Sequence, residues 1–371
     1  MQSFETVWQT INDKYFDPNF GGLDWSEVHD RYQPQITAAQ NEGEYYLLIN
    51  KMLLELNVSH VGFVPPDDLS QLAPILAAEG SIGVDVRMLD NDEVITSVKS
   101  DSPCAQAGLR PGYIFKGIDG IKIEQITDLK HINDIEYQNI DKETYKNLKA
   151  LVPPYNESSR NTQFTNAVRE KIYGLPVSMV SIEYMDENGD TQKEKIVRAK
   201  RKGKMVFDDA MPTFFVEFEA KRLDNNIGYI RFNAFLPPAD HKFKSTIESM
   251  QDTSALIIDT RGNHGGSFDV RKAIAEALVK DRVLFWRFKG RDKTRDIFLE
   301  PTNNVYNRPV AVIVDYMCLS SCEEFSGGLK AIKRATIIGD RTPGVTLPSY
   351  FFKLPNCATF LYPYALSITA V

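Results

Sequence analysis

Apolar residues recur at helical spacing through the first sixty positions. Phe4, Val7, Trp8 and Ile11 share one helix face, and Tyr46, Leu47, Ile49, Met52, Leu53 and Leu56 share another. Pro65 and Pro66 close the run, so the spacing predicts a helical unit over about 1–70. From residue 77 the period shortens. Brief apolar–polar alternations are broken by "LDND", "SDSP", "RPG" and "IDG", each a turn signal, which predicts a β-rich unit over 77–202. A polar stretch, roughly 126–165, interrupts that unit and is in part helical in pattern. From about 207 to 371 strands and helices alternate. "NIGYIRFNAF", "SALIIDT" and "PVAVIVDY" read as strands, and "PADHKFKSTIESMQD", "DVRKAIAEALVKD" and "CEEFSGGLKAIKRA" as helices. Further β-runs are expected at "VLFWRF", "TIIG" and "ATFLYPYAL". Near-continuous apolar strands between helices argue for a buried α/β layer. The fold class is therefore α/β, in a multi-domain α+β arrangement.

Composition narrows the function. The chain has 371 residues, 43% hydrophobic and 25% charged, enough for several domains with a large core. A net charge of −7 leaves no basic excess to neutralise phosphates, so no nucleic-acid partner is expected. The short basic cluster "RAKRKGK" reads as a solvated turn. No apolar run has the length of a membrane span, so no transmembrane segment is expected. The amphipathic, acidic N-terminal stretch is neither a signal nor a transit peptide in pattern. Cys104, Cys318, Cys322 and Cys357 form no CxxC pair and have no histidines at zinc spacing, so they are expected to be small buried residues. No metal or other cofactor is implied.

Two strand–turn–helix units place their turns at the ends of apolar strands, where α/β sheets build sites. The first turn, "RGNHGGS", offers glycine N–H groups that can face a developing negative charge. A phosphate loop is excluded because Gly-Lys-Ser/Thr is absent. A plain tight turn fits the same residues. The second turn puts Ser320 and Ser321 ahead of "CEEF". A serine there sits at the positive end of a helix and can act as a nucleophile. It can equally be an N-cap, with Glu323 or Glu324 in the first helical turn.

The stretches "GYIRFNAF", "ALIIDTRGNHGG" and "VAVIVDYMCLSSCEEFSGGLKAIKRATIIGDRTPG" together resemble the carboxyl-terminal processing protease and tricorn family of serine peptidases. The resemblance extends over nearly the whole chain. It implies a helical N-terminal domain, a PDZ-like β-domain with the insertion, and a crotonase-like α/β protease core. The PDZ resemblance is carried by "SIGV", "SPCAQAGLRPGYIFKGIDG" and "VSMVSIEYMDENGDTQKEKIVRAKR". Ile82, Gly83 and Val84 would be the loop that receives a chain-terminal carboxylate, the peptide adding as a strand. The family opens this helix with Ser-x-x-Glu, which "SSCE" matches with Ser320 as nucleophile and Glu323 as the acidic position. Shifting to Ser321 and Glu324 fits the later "GDRTPG" motif less well. The oxyanion hole would use the N–H of Ser321 and that of Gly265 or Gly266.

The processing-protease branch supplies a lysine after the later motif, but "GDRTPGVT" has Val345 there, which cannot be a base. The tricorn-like branch uses a Ser-His pair after the N-terminal helices, and "LELNVSHVGF" has Ser59 and His60 in the matching place. The resemblance thus implies that His60 is the general base, oriented by Ser59. That branch completes a tetrad with a glutamate in a later Glu-Gly-x-Gly-like element. "YPYALSITAV" has none, so that role is assigned to no residue. In "LPNCATF", Cys357 stands where such turns commonly have glycine. The implied function is a serine endopeptidase of the cell envelope or periplasm, acting on unfolded or C-terminally exposed polypeptides. The missing glutamate also admits a non-catalytic peptide-binding protein on a protease scaffold. A related fold acting on acyl thioesters leaves the PDZ resemblance and the Ser-His pair unexplained.

Overall fold

Helix Gln2–Lys14 buries Phe4, Val7 and Ile11, the face that the spacing predicts. Helix Trp25–Ala38 begins at Asp24, whose carboxylate accepts the N–H groups of Ser26 and Glu27. Helix Glu42–Leu54 begins in the same manner at Asn41, which accepts the N–H of Glu44. These helices do not close their own core. Strand Gly62–Val64 pairs antiparallel with Thr359–Pro363, which pairs in turn with Ser349–Lys353. Leu354, Ala358, Phe360 and Tyr362 pack in one cluster with Phe4, Trp25 and Met52. The computed structural model describes residues 2–64, 74–126, 157–206 and 213–369.

The second unit is an antiparallel sheet in the order Val84–Leu89, Asp92–Val98, Ile114–Ile118, Met179–Met185, Thr191–Val197. Helix Glu157–Ile172 packs on it, with Val168 and Ile172 among Ile82, Val86 and Ile182. The expected insertion, roughly 126–165, overlaps this helix. Its residues 157–165 open a helix that belongs to the unit's core, and 127–156 lie outside the described residues. The helix is hard to see in sequence because its buried face includes Ser158, Thr162, Thr165 and Arg169. A hydrophobic pattern does not register such residues.

The third unit bears out the α/β expectation. Its five-stranded sheet runs Phe218–Leu223, Ile227–Phe232, Ala255–Asp259, Val310–Val314, Thr336–Gly339. The first pair is antiparallel and the rest are parallel. Ile230, Leu256, Ile258 and Val312 are fully buried, packed among Phe243, Ile247, Ile274, Phe325 and Leu329. Along these strands fully buried residues alternate with half-buried ones such as Ile257 and Ile313, so even the less covered face keeps apolar side chains. Because Asp259 pairs in register with Ile313 in the parallel ladder, the turns after both strands leave from one sheet edge.

The second and third units meet through buried charge. Arg87 pairs with Asp315, and Arg231 with Asp85, each at 2.5 Å. The Met88 N–H, on the sheet's outer strand, donates to the Tyr316 hydroxyl at 2.6 Å. Glu93 is fully buried nearby and accepts from the Thr165 hydroxyl at 3.1 Å. Tyr316 lies against the same Thr165 hydroxyl at 2.8 Å. Burial lifts the Glu93 pKa to about 7, against the opposing pull of Thr165, Arg87 and Arg169. The folded protein therefore holds a proton that the unfolded chain releases from about pH 4.5 upward, and stability falls as pH rises through that window to about 7. Glu93→Gln removes this titration. Its thermal midpoint is expected to exceed the parent's above about pH 7 and to match it below about pH 5. Thermal unfolding across that range checks this, and a pH-independent difference would refute it.

Candidate active site

The two turns at the sheet edge are tied together by side chains. Asp315 accepts the N–H of Gly262 and the N–H of Met317, both at 3.0 Å, and the Arg87 guanidinium. Asn263 is buried; its amide donates to the Phe232 carbonyl at 3.0 Å, and its own carbonyl takes the Leu319 N–H at 3.0 Å. Gly265 sits at φ 82°. A Cβ there would lie 2.6 Å from the Leu319 carbonyl oxygen and 2.9 Å from Ser320 Cβ. Only glycine permits this approach.

Ser320 stands at φ 52°, ψ −116°, as the N-cap of helix Ser321–Ala331, in a capping box with Glu323. The cap reading and the nucleophile reading therefore describe one position. A serine at positive φ carries backbone strain of the kind that collects at functional sites. The Ser320 N–H donates to the Glu323 carboxylate at 3.1 Å. Glu323 also accepts the N–H groups of Gly344 at 2.6 Å and Val345 at 2.9 Å. The place that would carry a lysine in the processing-protease branch is thus held beside the serine turn, filled by valine. Burial raises the Glu323 pKa, against these hydrogen bonds.

Ser321 and Glu324 turn to internal ties. The Ser321 hydroxyl donates to the Gly266 carbonyl at 2.8 Å, and Arg271 Nη1 stands 3.5 Å from Ser321 Oγ. Arg271 is almost wholly buried and pairs with Glu324, which also accepts the Ser367 hydroxyl. Burial lowers the Arg271 pKa to about 9. The shifted frame of Ser321 with Glu324 is therefore absorbed in structure. Of the two glycine amides, that of Gly265 is taken by Asn263 Oδ1 at 2.9 Å. The N–H groups of Gly266 and Ser321 have no hydrogen-bond partner among the described residues. Two donors beside Ser320, at the positive end of a helix, can stabilise an oxyanion.

His60 Nδ1 lies 3.1 Å from Ser59 Oγ. Gly62 faces Leu361 in the ladder, so position 60 falls at the Pro363 end, where Pro363 pairs with Ser349. That is the end at which the chain arrives from Gly344 and Val345, which Glu323 holds. The register thus places position 60 at the ladder end that follows Gly344 and Val345, and no hydrogen bond joins His60 to Ser320 among the described residues. Burial lowers the His60 pKa to about 4, so its imidazole is neutral at pH 7. His264, inside the glycine turn, was not singled out by sequence. Its Nε2 lies 3.4 Å from Arg169, and burial, with Arg169, Arg87 and Arg201 nearby, lowers its pKa to about 3.

Ile82, Gly83 and Val84 differ from expectation. Ile82 and Val84 are buried, and the Gly83 N–H is committed to Ser81 Oγ at 2.9 Å. A Cβ on Gly83 would lie 2.1 Å from Ser102 Cβ, so this glycine serves close packing. The cysteines also depart from expectation. Cys318 and Cys322 form a disulfide across the serine turn, and Cys357 is exposed. Cys104 alone is a free buried thiol among the described residues, its pKa pushed up to about 12 by burial. Cys357 has φ 64°, the left-handed backbone for which glycine is the common choice.

Residues 226–369 match the model of peptidase family S41, and residues 1–54 that of the tricorn protease C1 domain. The chain is 25% identical over 357 residues to carboxyl-terminal-processing peptidase 2, chloroplastic, of Arabidopsis thaliana, covering 92% of this chain. It spans 60% of that relative's length. It is 22% identical to the carboxyl-terminal-processing protease of Synechocystis, over 95% of this chain and 72% of the relative. The photosystem II D1 C-terminal processing protease shares the fold, with a TM-score of 0.57 and 20% identity over 99% of this chain and 87% of that one.

The close approach at Gly265 can be isolated from its backbone cost. Gly120 has φ 80° with no atom within 4 Å of a built Cβ. Gly120→Ala is expected to lose about 1–3 kcal/mol, the left-handed backbone alone. Gly265→Ala should lose clearly more, because the serine turn must also move. Equal losses by chemical denaturation would show that the glycine turn does not press on Ser320.

Proposed function

Because the chain belongs to peptidase family S41, the carboxyl-terminal processing and tricorn serine peptidases, we propose that it is a serine endopeptidase acting on unfolded or C-terminally exposed polypeptides. Ser320 attacks the substrate carbonyl. The N–H groups of Ser321 and Gly266 receive the oxyanion, each donor contributing on the order of 10²–10³ in rate. His60 accepts the serine proton and returns it to the leaving amine, and Ser59 fixes the imidazole through Nδ1. The observation that carries this reading is a strained serine at a helix N-terminus together with two N–H groups, of Ser321 and Gly266, that have no partner among the described residues.

The units proposed are a helical domain over 1–70, a PDZ-like domain over 77–202 and the protease core over 207–371. A polypeptide end is proposed to dock on the PDZ-like domain. With Gly83's amide committed, its recognition falls to groups other than that N–H. We place the protein outside the cytosol, in the envelope or a comparable compartment. A disulfide at the site supports this, as do relatives whose names give the chloroplast. No described helix is long and apolar enough to cross a membrane.

Hydrolysis of an unfolded protein and labelling by a fluorophosphonate test the assignment. Ser320→Ala should abolish both, while Ser321→Ala should retain a reduced rate, because its N–H remains. Full activity in Ser320→Ala would remove Ser320 from the mechanism. The same reading fixes the pH profile. A base with its pKa lowered to about 4 stays deprotonated well below neutrality, so the acid limb of kcat/KM should fall near pH 4 rather than at the ordinary histidine value of 6.5. An acid limb at about 6.5 that persists in His60→Gln would exclude His60 as the base.

A further inference from the structure

Cys318 and Cys322 stand two residues either side of Ser320, and their disulfide closes a five-residue ring around it. Both side chains are completely buried in the core of the α/β unit, with Phe235, Phe325 and Val314 in the same cluster. The ring is tied to its surroundings. The Cys318 N–H donates to the Asp315 carbonyl at 3.0 Å, and the Leu319 N–H to the Asn263 carbonyl at 3.0 Å. Ser320, inside the ring, holds the unfavourable φ of 52°. Two separate thiols need more room than a bonded pair, since non-bonded heavy atoms settle at about 3.5–4.0 Å. Among fully buried neighbours, that separation must be taken up by the turn that bears Ser320, where Leu319 and Ser320 are half-buried.

We propose that the Cys318–Cys322 disulfide is a positioning element for Ser320 and makes the activity of this site depend on its redox state. The inference rests on Ser320 being the nucleophile. Oxidised, the ring holds the serine oxygen in line with the Ser321 and Gly266 N–H groups. Reduced, the turn relaxes and the oxygen leaves that line. Reduction by a dithiol is balanced. When the half-buried turn opens enough to expose a sulfur, one thiolate attacks it to give a mixed disulfide, and the reagent's second thiol displaces the protein sulfur. Two electrons and two protons pass to Cys318 and Cys322, and the reagent closes to a cyclic disulfide. A displacement of about 1 Å at a reacting atom can cost on the order of 10²-fold in rate.

The test uses the whole protein, treated with dithiothreitol and then freed of reagent under nitrogen. Mass spectrometry counts the thiols. Fluorophosphonate labelling and kcat and KM on an unfolded protein read the site, and amide exchange reads residues 316–325. The expected result is a fall of about tenfold or more in kcat and labelling rate, with KM unchanged. Exchange should rise at Leu319–Glu323, and oxidised glutathione should restore all three. A Cys318→Ala/Cys322→Ala double variant should behave as the reduced protein and ignore both reagents. Cys104→Ala and Cys357→Ala should respond as the parent does. Equal labelling in both redox forms, or full activity in the double variant, overturns the inference and leaves the nucleophile assignment standing. Four free thiols in the air-oxidised protein also overturn it. Changed exchange with no labelling of either form removes Ser320 as nucleophile, and this inference falls with it.

Discussion

Everything around the serine turn hangs on the Asp315 carboxylate. It is buried, and it gathers three donors from three places: the Arg87 guanidinium, the Gly262 N–H and the Met317 N–H. A buried carboxylate is tolerated only when its lone pairs are answered, and here each answer fixes a different segment. Gly262 opens the glycine turn, Met317 leads into Ser320, and Arg87 belongs to the second unit's outer strand. Loss of Arg87 would leave the charge unpaired in the core, typically a cost of about 3–5 kcal/mol. The same loss would untie the glycine turn from the serine turn.

Around that anchor, polar side chains take over where apolar packing lacks direction. Hydrophobic burial makes the sheet, but it is indifferent to small rotations of a turn at the sheet's end. Asn263 sets the Leu319 and Gly265 amides, and Glu323 sets those of Ser320, Gly344 and Val345. Ser321 fastens the helix start to Gly266, with Arg271 and Glu324 behind it. The result is a turn in which backbone N–H groups of Gly266 and Ser321 are left open while their neighbours are engaged.

Much of this was legible in the sequence, and what was not has a common cause. Continuous apolar runs marked the parallel strands, and the distance to the later "GDRTPG" motif favoured Ser320 over Ser321. The choice between Gly265 and Gly266 was not legible, because it turns on where one Asn263 side chain points. Helix Glu157–Ile172 was hidden because threonine, serine and arginine make up much of its buried face. The disulfide escaped because cysteines four apart, one ahead of the helix and one in its first turn, match no metal or redox pattern. Arg87 and Asp315 are 228 residues apart, and no local period connects them. His60 was reached through family resemblance, whereas its seating depends on a ladder with strand Thr359–Pro363.

That ladder sets an order of events in the life of the chain. Gly62 and Leu361 are partners about 300 residues apart, so the helical unit cannot complete its core with its own sequence neighbours. Contacts of such separation form late, after the entropy of closing a long loop has been met. On a ribosome, Ser59 and His60 emerge long before the strand that seats them. A nascent chain therefore holds the candidate base and the candidate nucleophile apart. Under the proposed mechanism, it would be unable to cut itself, or its neighbours on a polysome, until the ladder with Thr359–Pro363 closes.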